Sequence, residues 1–387
     1  MDQLIEVLQS RKLKSHSEIT KDLRSSLLRL EPKIETTWFE EEDQSLIKGR
    51  CDNWFGWLQV PVGVAGPMNI DGKMVVLPMA TTEGALIASV CRGCKAVSQI
   101  STICLDDQMT RGPVFKIASI SSAAAFEKFI CDSYDSLRTA FESCSRHCKL
   151  IDIKQRVMGR YAFLRFSAST DEAMGMNMVT ICTEAACSFL VNNFEGMVEL
   201  VSLSGNFCID KKASTVNILK GRGKYVVAEC VIPKGAVESV LKTSVDMIVR
   251  TCLAKCWYGS SIAGAIGGNN AHAANIVAAA FMATGQDVAQ VVESSACFTT
   301  MEKDENGDLV ATVTMPCLEV GTVGGGTLLP TQNACLCLAL KSFPDEKDSA
   351  VRLARIICAF VLAGEVSLLA SLSEGSLVKA HLKLNRA

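Results

Sequence analysis

The sequence predicts an α+β protein: a large mixed α/β domain carrying an inserted ferredoxin-like domain, with a small helical subdomain at the N-terminus. Three observations predict it. Residues 1–50 are charged and repeat apolar positions at helical spacing, at Leu4, Ile5, Val7 and Leu8 and again at Leu23, Leu27, Leu28 and Leu30. Residues 113–202 run in the order β-α-β-β-α-β, the split arrangement of a ferredoxin-like unit. The stretches 51–112 and 203–387 are rich in Ala, Gly and Val, as suits one close-packed body interrupted by the insert.

The elements follow in order. Pro61, Gly63, Gly66 and Pro67 punctuate an expected loop. A strand is expected at 74–78 and a helix with a small-residue face at 82–98. In the insert, strands are expected at 114–120, 150–158, 161–166 and 197–202, and helices at 121–145 and 173–192. Beyond it, 204–215 reads as a polar loop, 225–232 as a strand and 237–256 as a helix. The segment 274–284 is expected to be helical, strands recur at 297–301 and 309–316, and 349–381 is mostly helical. There is no tandem repeat.

Composition excludes several classes of function. The 39 basic and 41 acidic residues leave no broad positive field for nucleic acid. The mean hydropathy is +0.24, yet the most apolar runs, 273–284 and 357–364, are read as too short for a membrane span. No signal-peptide pattern opens the chain, so a location in or facing the cytosol is expected. The 18 cysteines sit mostly in apolar stretches, as at Cys131, Cys182, Cys187, Cys252 and Cys358, and are expected to be reduced and buried. Cys91 and Cys94 have metal-like spacing, but no second pair matches them and there are only four histidines. No metal is expected.

Five segments carry chemistry. The loop 202–212 ends in Asp210-Lys211-Lys212, where a held lysine could stabilise a developing oxyanion; on composition alone a solvated basic loop is the simpler reading. In MATTEG (79–84), Glu83 enters a small-residue helix, and partial burial would raise its pKa and suit it to donate protons; otherwise it caps the helix. Asp287 in GQD is an acid among small residues, needing a polar partner if buried and otherwise an exposed turn residue. GTVGGGT (321–327) offers backbone N–H groups to a ligand. No G-x-G-x-x-G follows a strand, which disfavours a Rossmann site. His381 is a single histidine near the C-terminus.

Taken jointly, PVGVAGP (61–67), MATTEG (79–84), TRGP (110–113), AMGMNM (173–178), SGN with DKK (204–212), NAHAANIV (270–277), GQD (285–287), GTVGGGT (321–327) and LVKAH (377–381) resemble the catalytic portion of the class I, eukaryotic type of 3-hydroxy-3-methylglutaryl-CoA (HMG-CoA) reductase, over nearly the whole chain. The resemblance implies NADPH-dependent four-electron reduction of HMG-CoA to mevalonate and CoA, with two NADPH per turnover. It implies catalytic roles for Lys211 as oxyanion stabiliser, Glu83 as proton source, Asp287 as their neighbour and His381 as proton donor to the CoA thiolate. Substrate would be held by Arg111, Ser204, Lys212, Lys255 and Asn275, with CoA at Ser89, Arg92 and Asn53. The cofactor would meet Ser145, Arg146, Gly175, Met176 and Asn177 in the insert and Val323, Gly324, Gly325 and Gly326 in the glycine-rich loop, with Arg146 on the 2′-phosphate. A homodimer or homotetramer is implied, with Lys211 and Glu83 of one subunit meeting the histidine and glycine-rich segments of its neighbour.

Some positions depart from the family pattern. Glu172 stands for an Asp before AMGMN and His147 for an aromatic after Ser-Arg, which bears on the grip on the cofactor. Cys91 replaces an Asn beside Arg92. The chain ends Asn385-Arg386-Ala387, where animal relatives carry a phosphorylated serine, so control by that route is expected to be absent. The family's membrane anchor is not recognised in these residues, so the expectation is either a naturally soluble protein or part of a longer one held on the cytosolic face of the endoplasmic reticulum. The competing readings are a reductase of another acyl-CoA and a catalytically inactive CoA-binding relative.

Overall fold

The computed structural model describes residues 51–194, 198–343 and 347–374, together with 21, 22, 25 and 47. The chain divides into two compact units, Met1–Pro61 and Val62–Ala387. In the first, residues 21, 22, 25 and 47 are helical, and the rings of Trp54 and Trp57 meet edge-on at 5.9 Å. The rest of the helical subdomain expected at 1–50 lies outside the described residues.

The second unit is α+β. It opens on a hairpin of β1 (Val62–Ile70) and β2 (Lys73–Ala80). The expected loop at 61–67 is thus a strand. Pairing steps from Ala65 opposite Leu77 to Met68 opposite Val75, which leaves Gly66 and Pro67 in a bulge. Proline's missing N–H costs no ladder bond there, and apart from a bridge from Ile70 to Ile100 at its end, β1 is paired only with β2. After α1 (Leu86–Ala96) comes β3 (Ser101–Arg111), a strand that sequence reading does not anticipate. It ties two sheets together. Its first residues pair with β8 of the large domain, and Met109–Arg111 pair with β6 of the insert.

The insert contains β4 (Val114–Ile117), α2 (Ser121–Asp132), α3 (Tyr134–Glu142), β5 (Lys149–Met158), β6 (Tyr161–Ser169), α4 (Met176–Asn193) and β7 (Val198–Ser202). The strands lie side by side as β7-β4-β6-β5, all antiparallel, which is the ferredoxin-like order. The helix expected at 121–145 is broken at Ser133, where Asp132 and Ser133 are both poor helix formers. The insert has its own core, in which the rings of Phe141 and Phe166 stack at 5.9 Å.

The large domain continues with α5 (Thr215–Lys220), β8 (Gly223–Ile232), α6 (Val245–Cys252), β9 (Gly268–Asn269), α7 (Ala273–Thr284), β10 (Cys297–Lys303), β11 (Leu309–Leu318), α8 (Pro330–Leu340) and α9 (Ser349–Glu374). Its strands run β3-β8-β11-β10-β9, antiparallel except for β9 and β10. The single helix expected at 237–256 is interrupted. Lys242 adopts a left-handed φ of 63°, and the Ser244 hydroxyl restarts the helix by accepting from the Met247 N–H.

The 26-residue α9 is the axis of the core, packed on α1, α6, α7, β8 and β11. Contrary to the expectation from sequence, it is long and apolar enough to cross a membrane. However, 83% of its most apolar window is buried inside the protein, and a helix apolar all round is also what a central core helix looks like. All 18 cysteines are free. Most are buried, although Cys131 is exposed rather than buried.

Candidate active site

A cleft of about 620 Å³ lies between the insert and the large domain, a size suited to a small-molecule ligand. Three segments far apart in sequence form its walls: the start of α4, the turn after α7 and the loop after β11.

The α4 wall begins at Gly175, whose φ of 87° opens the helix at Met176. An 18-residue helix starting at a cleft directs unpaired N–H groups and the positive end of its dipole into it. Gly175, Met176 and Asn177 line the cleft, as do Val323, Gly324, Gly325 and Gly326 opposite. A Cβ added at Gly324 or Gly325 would meet nothing within 4 Å, so that part of the loop presents open backbone. Gly285 and Gly326 do the reverse. A Cβ on Gly285 would lie 2.3 Å from the Gly326 carbonyl oxygen, so GQD and GTVGGGT interlock through bare backbone. Gln286 completes the joint by accepting the Gly321 N–H at 2.9 Å.

Lys211 and Asp287 meet at the wall formed by the turn after α7. The Lys211 ammonium lies 3.2 Å from Asp287 Oδ2, with both side chains partly exposed, 44% and 37%. Asp287 Oδ1 accepts the Ala289 N–H at 3.0 Å, which fixes the carboxylate. A pair this exposed is worth at most about 1 kcal/mol to stability; its effect is to aim an ammonium into the cleft.

Glu83 is not part of this cluster. It is exposed between β2 and α1, neither partly buried nor capping the helix, and its N–H donates to Thr81 Oγ1 at 3.0 Å. Among the described residues it makes no ion pair. Within one chain the glycine-rich loop lines the same cleft as Lys211, and Glu83 does not line it.

The segment carrying Ser204 packs against the end of β3, with the Gly205 N–H donating to the Gly112 carbonyl at 2.6 Å. Arg111 is next to that contact, and its Nε is a buried donor with no partner among the described residues. Lys212 is exposed and donates to the Asp210 carbonyl at 3.2 Å. Lys255 is exposed in the π-helical turn Leu253–Gly259 and does not line the cleft. Asn275 stands at the start of α7, its amide 3.5 Å from His272 Nδ1, also outside the cleft.

Two expected CoA residues are engaged in holding the core together. Ser89 shares a hydrogen bond of 2.9 Å with Ser367, and Arg92 donates through Nε to Ser367 Oγ at 3.0 Å and through Nη2 to Ser371. Both clamp α1 to α9 within this chain, and neither lines the cleft. Asn53 belongs to the N-terminal unit and has a left-handed φ of 54°. His381 lies outside the described residues.

Ser145 reaches the cleft wall through Met178, with Oγ to Sδ at 3.0 Å. Arg146 donates from Nε to His147 Nε2 at 2.8 Å, and His147 Nδ1 lies 2.7 Å from Asp171 Oδ2. His147 therefore links Arg146 to Asp171 through a pair of hydrogen bonds. Glu172 ties the glycine-rich loop to a helix start. Its carboxylate accepts from the N–H groups of Ser349 and Ala350 at 3.1 and 2.7 Å, capping α9, and from Thr322 Oγ1 at 3.1 Å. Glu172→Ala should lower stability by about 1–2 kcal/mol and loosen the glycine-rich loop. A thermal melt that does not move would remove this role.

Beneath Lys211 lies a charge cluster that sequence reading misses. Arg222 is fully buried. It donates to Asp210 Oδ1 at 2.7 Å and to Thr110 O and Oγ1, both at 2.8 Å, and its Nε lies 2.7 Å from Glu319 Oε1. Carboxylate oxygens of Asp210, Glu293 and Glu319 lie within 4.8 Å of one another, but the cation they share is the guanidinium. Burial works against the charge of Arg222, yet Glu319, Asp210 and Glu293 hold its pKa above the ordinary value. Three carboxyls thus crowd around one guanidinium. Burial raises Glu319 well above the usual carboxylate range, opposed by Arg222 and reinforced by Glu293, while burial also raises Glu293.

A pH test follows. With the folded pKa of Glu319 raised, its proton stabilises the fold fully below the ordinary value of about 4.3, and that contribution is lost as pH rises through the folded pKa. Glu319→Gln mimics the neutral form. The melting temperature of the unmodified chain minus that of Glu319→Gln should therefore fall as pH is raised; a constant difference would mean that Glu319 is ionised throughout.

Comparison with known proteins identifies the family. Residues 20–386 match the family model described as hydroxymethylglutaryl-coenzyme A reductase. The chain is 47% identical over 384 residues to the 3-hydroxy-3-methylglutaryl-coenzyme A reductase of Phycomyces blakesleeanus, covering 97% of this chain and 32% of that protein. It is 46% identical over 378 residues to reductase 1 of Dictyostelium discoideum, covering 95% of this chain and 68% of that one. The chain thus spans about a third of the first relative. The class II reductase of Streptococcus pneumoniae, solved bound to NADPH, superposes with a TM-score of 0.67 at 19% identity, covering 94% of this chain and 98% of that one; at that identity the likeness speaks to the fold. By the match over residues 20–386 and relatives near half identical, the chain belongs to the hydroxymethylglutaryl-coenzyme A reductase family.

Proposed function

We propose that this chain reduces HMG-CoA to mevalonate and CoA with NADPH, the committed step toward isoprenoids. The observation that carries the reading is the Lys211–Asp287 pair on the wall of a cleft formed by a helix N-terminus and a glycine-rich loop. The cleft fits a dinucleotide phosphate: α4 offers free N–H groups, and the backbone at Gly324 and Gly325 is open. When bound, NADPH supplies hydride, two per thioester, because four electrons separate a thioester from an alcohol.

The protein's own part is electrostatic. Lys211 donates to the carbonyl oxygen as negative charge develops there, and Asp287 holds the ammonium in place. Arg111, with its unpartnered buried Nε, is suited to the free carboxylate of the hydroxymethylglutaryl group. Arg146, oriented by His147, is placed on the cofactor 2′-phosphate, and His381 protonates the leaving thiolate. The test is to mix the chain with NADPH and HMG-CoA and count NADPH oxidised per CoA released. A ratio of two supports the reading, whereas no oxidation, or equal turnover of acetyl-CoA, overturns it. Eighteen free thiols support a reducing, cytosol-facing location.

Glu83, Lys255 and Asn275 lie outside the cleft of their own chain, which supports a site completed by a second copy. Mixing Lys211→Ala with Glu83→Ala subunits should then restore about a quarter of the original activity, since half of randomly formed dimers carry one intact site of two. Mixtures as inactive as their components would place both groups in one chain's site.

A further inference from the structure

We propose that Arg222, Glu293 and Glu319 form a positioning hub for Lys211, fixing the backbone of residues 209–211 so that the ammonium stays on Asp287 before substrate arrives. The proposal rests on the reductase reading only for its kinetic test. Three residues near the end of the loop are each pinned by a different buried side chain. The Ile209 carbonyl accepts from Asn217 Nδ2 at 2.9 Å. Asp210 Oδ1 accepts from Arg222 Nη2 at 2.7 Å and Gln290 Nε2 at 3.0 Å. The Lys211 N–H donates to Glu293 Oε1 at 2.6 Å. Asn217, Arg222, Gln290 and Glu293 are all 0–1% exposed.

The loop needs such holding. Asn206, Ile209 and Lys211 all adopt left-handed φ values, 62°, 53° and 58°. For isoleucine, branched at Cβ, that conformation is an outlier that persists only where its surroundings impose it. Glu293 imposes the turn at Lys211 through the main chain, so the lysine side chain remains free to face the cleft.

The hub also joins the two walls of the cleft. Glu319, 2.7 Å from Arg222 Nε, sits two residues before the glycine-rich loop, and its N–H is held by Ser294 Oγ at 3.0 Å. On the side of the insert, Arg222 binds Thr110, the neighbour of Arg111, and Arg165 of β6 donates to the Gly221 carbonyl. One guanidinium therefore sets the relative place of Lys211, Arg111 and the glycine-rich loop. Its one contact with a lining residue is Nη2 to Met176 Sδ at 3.3 Å; it is itself fully buried and acts through the others.

The experiment compares Glu293→Leu with Glu293→Gln. Leucine cannot accept the Lys211 N–H, whereas glutamine retains the acceptor. Glu293→Leu should lower kcat by roughly a hundredfold, as expected when a catalytic group is displaced by about an ångström, with KM little changed, and Glu293→Gln should recover most of the loss. A second readout needs no turnover. Acetylation of Lys211 by acetic anhydride, measured by mass spectrometry against the exposed Lys116, should rise several-fold in Glu293→Leu as the pinned loop is released. If Glu293→Leu does not fold, Gln290→Ala, which removes one donor to Asp210, is read the same way. Loss of melting temperature with unchanged kcat and unchanged Lys211 labelling would make the hub merely structural and overturn the proposal. An unmodified chain that fails to oxidise NADPH would count against the reductase reading, and the labelling ratio would still decide this one.

Discussion

Replacing Lys211 by alanine should lower kcat by about a hundred- to a thousandfold while leaving the fold and the KM for HMG-CoA nearly unchanged. The reasoning separates two effects of one side chain. For stability, the Lys211–Asp287 pair is partly exposed at 3.2 Å, so its loss costs at most about 1 kcal/mol. The loop itself is held by main-chain and Asp210 contacts that alanine leaves intact. For catalysis, the ammonium acts where charge appears only in the transition state, so removing it affects kcat rather than ground-state binding. Arginine is not a conservative replacement, because its larger planar head would have to displace Asp287. Kinetics of both variants with HMG-CoA and NADPH, beside their melting temperatures, decide the matter. Near-normal turnover in Lys211→Ala would remove Lys211 from the mechanism.

What could be read from sequence, and what could not, divides along physical lines. The strand order of the insert was legible because its four strands declare themselves by local periodicity, although the break at Ser133 that divides its first helix into α2 and α3 was not. β3 was not. Asp106 and Asp107 interrupt it, its exposure alternates weakly, and it is a strand because β8 and β6 pair with it. The break at Lys242 was legible in principle, since Thr243 and Ser244 form a helix-start signal inside an otherwise periodic run. Lys211 and Asp287 were recognisable as segments, but their 3.2 Å approach depends on Gly285 meeting Gly326 edge to edge, which no local pattern encodes.

The hub left the faintest trace. Gly221-Arg222-Gly223, Val292-Glu293-Ser294 and Leu318-Glu319-Val320 each place one charge in a small or apolar setting. Such a charge must find a partner if buried, but a single sequence does not say which. Arg92 shows the converse. Its motif was clear, but the motif did not disclose that this arginine also clasps a neighbouring helix, here through Ser367 and Ser371.

That clasp leads to the second large effect expected, Gly93→Ala in α1. A Cβ at Gly93 would lie 1.9 Å from the Ala363 carbonyl oxygen and 2.6 Å from its carbonyl carbon. The obstacle is the main chain of α9 in mid-helix, buried on all sides, so no side-chain rotation relieves it. Alanine gains about 1 kcal/mol over glycine in helix propensity, but overpacking against backbone costs about 3 kcal/mol or more, and the second term wins. The two helices must separate, which stretches the Arg92 and Ser89 bonds to Ser367 and shifts the segment that presents Glu83. Gly235→Ala is the control: no atom lies within 4 Å of the added Cβ, and its φ is not left-handed. The expected result is a melting temperature lowered by several degrees in Gly93→Ala, with loss of activity even where it is folded, and one unchanged or raised in Gly235→Ala. Equal melting temperatures for the two variants would mean that α1 and α9 do not approach through Gly93, and the placement of Glu83 at the end of that rigid contact would fall with it.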